Sequence, residues 1–112
     1  MAKVGNFDFY CEEAISGKTP VKKVYESEKV LAFYHTRPKY KIHIILVPKE
    51  HIHDILSLKE EHKDLILEIV EVIKKIATTL NIEKDGLRLM NNLGKYQDTP
   101  HLHFHLVSDD NI

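Results

Sequence analysis

Apolar residues first recur at helical spacing at Phe7, Tyr10, Cys11, Ala14 and Ile15, and Gly17 followed by Pro20 ends the run, so the chain opens with a short helix. VKKVYES (residues 21–27) and VLAFY (residues 30–34) are β-branched and aromatic runs joined through Ser27, Glu28 and Lys29, which predicts a hairpin. A loop over residues 35–41, containing Pro38, leads to IHIILVP (residues 42–48), nearly continuous in β-formers and therefore a central strand covered on both faces. Ser57 and Glu60 stand as a capping box, and Leu58, His62, Leu65, Ile66, Ile69, Val72, Ile73, Ile76 and Leu80 then repeat with helical period, predicting the main helix over residues 58–80. After an Asp85-Gly86 turn, LRLMN is a strand, residues 91–100 are a polar loop, and HLHFHLV (residues 101–107) is the last strand. The order helix, hairpin, strand, helix, two strands predicts an α+β fold with about five mostly antiparallel strands, one long helix and one short one.

Composition narrows the classes of function. The 112 residues contain no repeat, linker or composition shift, so one domain over residues 1–112 is expected to carry the whole activity. Sixteen Lys and Arg against 17 Asp and Glu give a net charge of −1, which provides no basic field for nucleic acid. No apolar stretch is long enough to span a membrane and the N-terminal segment lacks a signal peptide's apolar core, so a soluble, cytoplasmic protein is expected. Cys11 is the single cysteine, which excludes an intrachain disulfide; beside Phe9 and Tyr10 it reads as a small buried apolar residue. A chain this small gains from association, and a homo-oligomer is expected.

Histidine is the conspicuous chemistry. Of eight histidines, three fall at 101, 103 and 105. On a strand these imidazoles share one face while Leu102, Phe104 and Leu106 take the other, the apolar side packing beneath the long helix. Adjacent imidazoles cannot all be charged cheaply, so part of the row stays neutral at neutral pH, able to attack an electrophile or bind a metal. Ligands on one straight strand diverge, and no carboxylate or cysteine stands at matching spacing, so a metal site is the lesser reading.

His101-Leu102-His103-Phe104-His105-Leu106-Val107 matches, at every position, the signature of the histidine triad family. GKTPVKKVYESEKVLAFYHTRP resembles that family's N-terminal hairpin region and KIHIILVPKEH its central strand, so the resemblance covers roughly residues 7–107 and points to the Hint-like branch. It implies the histidine triad fold, a homodimer, and hydrolysis at the α-phosphate of a nucleotide conjugate such as a nucleoside phosphoramidate or dinucleotide, with no cofactor and no catalytic metal. Carried over, it makes His103 the nucleophile that forms a covalent nucleotidyl intermediate, oriented by a backbone carbonyl near His101. His105 becomes a phosphate ligand, and His101 and His43 support the nucleophile. Gln97 and Asn92 fall where relatives contact phosphate or sugar, and Phe33 where they wall the base pocket. His51 ends the Pro-Lys-x-His turn and reads as structural, and His53 and His62 as surface or boundary residues.

The chain also departs from the pattern. His35 stands where many relatives place an aspartate that holds the ribose hydroxyls, which implies weaker ribose recognition. Asp98 replaces a Ser or Thr after Gln97, setting an anion beside an anionic substrate. Some relatives bind a structural zinc through an N-terminal Cys-x-x-Cys; Phe9 and Glu12 fall at those positions, which implies no such zinc. Two other classes of function stay open: a nucleotide-binding module with little turnover, and a histidine-rich metal-binding protein.

Overall fold

The computed structural model describes residues 8–82, 84 and 86–111, the last three by backbone alone. Five strands, β1 (Lys23–Glu26), β2 (Val30–Tyr34), β3 (Tyr40–Pro48), β4 (Arg88–Met90) and β5 (Phe104–Asn111), are joined by one long helix, α1 (Lys63–Thr79), between β3 and β4. The strands form a single sheet in the order β1-β2-β3-β5-β4, and all neighbours are antiparallel. This is the α+β architecture that the hydrophobic pattern predicts.

Strand periodicity sends the sheet's apolar residues into two separate cores. Ile44 and Leu46 on β3 share a face with Val30, Ala32, Leu102 and Leu106, and this face meets Leu65, Ile69, Val72 and Ile76 of α1. Those four helix residues are spaced four, three and four apart, which lines them up as one stripe. On the opposite face Ile45 and Val47 join Leu31 and Phe33 beneath Tyr10 and Ala14. β3 is therefore covered on both sides, as its uninterrupted apolar run predicts.

Boundaries depart from the sequence reading where side chains or loops capture backbone groups. α1 begins at Lys63 instead of residue 58, because Asp54 accepts from the Ser57 N–H and closes a separate 3₁₀ turn over Ile55–Ser57. A second such turn, Glu60–His62, follows, with His62 Nδ1 accepting from the Lys59 N–H at 2.9 Å. β3 starts at Tyr40, shortening the predicted loop by two residues. The first element is a π-helical turn, Tyr10–Ile15, ended by Gly17 at φ +84°; the predicted start at Phe7 and the Asp85 half of the later turn lie outside the described residues.

The largest difference concerns the triad. β5 begins at Phe104, so His101 and His103 precede the strand that was expected to carry them. Leu102 N–H donates to the Ile52 carbonyl at 2.6 Å and Asn91 Nδ2 donates to the His103 carbonyl at 2.9 Å. A loop and a side chain hold this backbone where a neighbouring strand was expected. The histidine side is also packed: His101 and His103 are 0% and 2% exposed, with the Tyr10 ring 5.8 and 4.9 Å from theirs.

Candidate active site

His103 Nδ1 lies 2.8 Å from the His101 carbonyl, which can only accept, so in the neutral ring Nδ1 carries the proton and Nε2 presents a lone pair. Nε2 is buried and is the one buried side-chain nitrogen or oxygen among the described residues without a hydrogen-bond partner. A buried acceptor left unpaired carries a desolvation cost of about 1–3 kcal/mol, which a bound electrophile would relieve. The nearest charged group is Asp98, with Oδ1 3.6 Å from Nε2 on a side chain that is 72% exposed. His103 beside it holds the Asp98 carboxyl below the usual carboxylate range, so Asp98 is an anion at neutral pH.

The sheet register brings His43 and His105 together. Ile45 pairs with His105 across β3 and β5, so His43, two residues from Ile45, shares the His105 face. A chain of hydrogen bonds then fixes where the protons sit. The Lys39 N–H donates to His43 Nδ1 at 3.1 Å, which puts the His43 proton on Nε2. His43 Nε2 donates to His105 Nδ1 at 2.9 Å, which leaves the His105 proton on its own Nε2. His105 thus offers an N–H donor to an incoming oxyanion. Burial first, then neighbouring positive charge, pushes His43 and His105 down to about 4, so both rings are neutral at neutral pH.

His35 stacks on His43 with ring centroids 4.3 Å apart, and one nitrogen from each of His35, His43 and His105 lies within 4.8 Å of the others. Proximity alone would suit a metal. The protons do not: backbone N–H groups occupy Nδ1 of both His35 and His43, so the nitrogens left over carry hydrogens and cannot ligate without creating imidazolates. This cluster is an array of N–H donors.

A second group has the opposite character. Asp8, Cys11, His51 and His101 bring ligand atoms within 4.8 Å of one another. His101 Nε2 donates to the Pro48 carbonyl at 2.8 Å, so in the neutral ring Nδ1 turns a lone pair toward Asp8 Oδ2, also 2.8 Å away. Two acceptors at that distance require a proton or a cation between them. His51 Nδ1 lies 2.6 Å from the same oxygen and Cys11 Sγ 3.3 Å from His101 Nδ1. Burial opposes ionisation of Asp8, but the Cys11 N–H and His101 outweigh it and hold the carboxyl below its ordinary value. Burial and then Asp8 push the Cys11 group up to about 12, so without a metal it is a thiol, half-buried among polar groups. Carboxylate, thiol and two imidazoles, one held from behind by a carbonyl, fit a zinc ion; all four positions are protein ligands, which makes such a site structural. The sequence places the zinc-pair positions at Phe9 and Glu12. In the fold Asp8 and Cys11 face the histidines instead, because a π-turn takes up about one residue more than an α-turn.

Tyr10, Asp98 and Thr99 open onto a cleft of about 280 Å³ that is also lined by the apolar Phe9, Phe33 and Ile45 and by His35, Thr36 and Arg37. Phe33 and His35, both expected to meet substrate, line this cleft. Gln97 and Asn92 are not among the lining residues, and neither are His101, His103 and His105; Asp98 links the cleft to His103. Gln97 is buried, with one Nε2 hydrogen donated to the His53 carbonyl at 2.7 Å, a bond that ties two loops together. The neighbour of Asn92, Asn91, donates to the His103 carbonyl. Asp8, Tyr10, Asn91 and the Pro48 carbonyl were not singled out from sequence; only the Asp8-x-x-Cys11 spacing could have signalled one of them.

Residues 16–112 match the HIT domain family. A HIT-like protein of Helicobacter pylori is 36% identical over 101 residues, spanning 88% of this chain and 94% of its own length. A solved HIT family hydrolase from Legionella pneumophila superposes with a TM-score of 0.85 at 29% identity, covering 91% of this chain and 92% of that one. A histidine triad protein from Clostridium difficile gives a TM-score of 0.85 at 32% identity, covering 100% and 96%. The chain belongs to the histidine triad family, and its fold is the one used by hydrolases of that family.

Proposed function

We propose that this protein hydrolyses a nucleotide conjugate, of phosphoramidate or dinucleotide type, at its α-phosphate through a covalent nucleotidyl-His103. The observation that carries this reading is the buried, unpartnered Nε2 of His103, whose lone pair is fixed by the proton on Nδ1. Nε2 attacks phosphorus, the N–P bond forms as the bond to the leaving group breaks, and water then cleaves the N–P bond to release the nucleoside monophosphate. His105 Nε2–H donates to a phosphoryl oxygen, where negative charge grows in the transition state. His43 is a positioning residue, because its own proton dictates that of His105, and His101 positions the nucleophile through its carbonyl. Asp98, an anion 3.6 Å from Nε2 on a largely exposed side chain, is a charge that the incoming phosphate has to meet.

We also propose that two copies pair across β4. This strand is a sheet edge, and it carries Leu89, 52% exposed, beside an apolar groove formed with Val70 and Ile73 of α1. No helix among the described residues is long and apolar enough to cross a membrane.

Release of AMP from an adenosine phosphoramidate tests the chemistry. Turnover is expected from the natural protein, and His103→Asn should lower kcat about 100-fold or more while the fold is retained. Saturable nucleotide binding with no turnover by the natural protein would instead identify a binding module.

A further inference from the structure

Part of the cleft's lining, His35 and Arg37, has an electrostatic character that the reaction at His103 does not use. The Arg37 N–H donates to His35 Nδ1 at 2.9 Å, so the neutral His35 ring carries its proton on Nε2 and its single acceptor is already taken. Burial above all holds His35 below the usual histidine range, against the pull of Asp98, so the ring is a neutral donor at neutral pH. Stacking on His43 keeps its plane fixed. Beside it Arg37, exposed and permanently charged, makes no salt bridge among the described residues; a guanidinium has N–H donors and no acceptor.

Hydrogen-bond counting then decides what this part can hold. The hydroxyls of a ribose diol need acceptors for their protons; the Thr36 hydroxyl is one, whereas His35 and Arg37 have none to give and offer only donors. A phosphate ester at neutral pH has acceptor oxygens and negative charge, which suit a ring N–H and a guanidinium together. Asp98, the carboxylate among the cleft's lining residues, is turned to His103 at 3.6 Å and so opposes the reacting phosphate. We infer that the cleft takes nucleotides bearing a second phosphate on the sugar, held by His35 Nε2–H and Arg37 while the first phosphate meets His103. The inference rests on the nucleotide-conjugate reading above and narrows it to sugar-phosphorylated substrates. The apolar wall of Phe33 and Ile45 is left for the base.

Calorimetric titration with adenosine 5′-monophosphate, adenosine 2′,5′-bisphosphate and adenosine 3′,5′-bisphosphate separates the possibilities. At least one bisphosphate is expected to bind the natural protein about tenfold or more tightly than the monophosphate, the gain typical of charge-assisted hydrogen bonds. Arg37→Ala, an exposed position, should shrink that ratio to about threefold or less. His35→Asp should reverse the order, favouring the monophosphate, and the reversal should vanish with the 2′,3′-dideoxy monophosphate. A monophosphate that binds as tightly as both bisphosphates and whose phosphoramidate is turned over would overturn this inference alone, as would a bisphosphate preference that survives Arg37→Ala. If the folded protein binds none of the three and cleaves no phosphoramidate, the nucleotide reading fails together with it.

Discussion

His43 and His105 show how far single residues were legible. Their presence on β3 and in the triad is plain in the sequence, and so is the alternation that buries Leu102 and Leu106 against α1. Their protonation is not, because it depends on the Lys39 N–H, which only the turn before β3 delivers. The same limit applies to Gln97, whose amide donates to a carbonyl 44 residues away in sequence. Held at about 4, His43 and His105 make stability depend on pH. In the unfolded chain both take up protons near ~6.5, whereas in the fold they stay neutral until about 4. The unfolded state therefore binds more protons through this window, and stability is lost as pH falls from about 6.5 toward 4. Asp8, held below its ordinary range, contributes its loss only at lower pH. The melting temperature should drop between pH 7.5 and pH 5, and the drop should be smaller in His43→Asn. An unchanged melting temperature over that range would contradict the buried, neutral assignment.

At the scale of elements, strands and the long helix follow from period and composition, whereas ends and handovers do not. The capping box drawn from Ser57 and Glu60 fails because Asp54 reaches Ser57 first. The last strand loses its first three residues to Ile52 and Asn91. The π-turn at Tyr10–Ile15 has consequences for chemistry, since its winding sets Asp8 and Cys11 against His51 and His101. No periodicity rule anticipates a π-turn over an α-turn in so short a segment. Zinc added to metal-free protein is expected to raise the melting temperature, and Asp8→Ala should abolish most of that rise. Cobalt substitution should give a thiolate-to-metal absorption band that disappears in Cys11→Ser; a zinc response that is equal in both variants would exclude this cluster as the site.

At the scale of the whole molecule, the two faces of one sheet divide the labour. The α1 side supplies an apolar core, and the opposite side carries the triad, the cleft and the N-terminal turn that covers them. That division was readable as the contrast between the histidine row and its apolar alternates. What the sequence left open is that β4 ends the sheet with Leu89 exposed, a property of strand order and not of any local pattern. Sedimentation equilibrium should find a dimer at micromolar concentration, and Leu89→Glu should shift it to monomer with the circular dichroism spectrum retained. A natural protein that stays monomeric would remove the pairing from the account.

The central claim is that His103 Nε2 becomes covalently attached to the substrate phosphorus. Rapid acid-free quenching of the protein with an adenosine phosphoramidate, followed by peptide mass spectrometry, reads this directly. The account predicts one adenylyl group per chain, on the peptide holding 101–105 and assigned by fragmentation to His103, and none in His103→Asn. An adenylyl group on His101 or His105, or turnover with no adduct at any quench time, would contradict it.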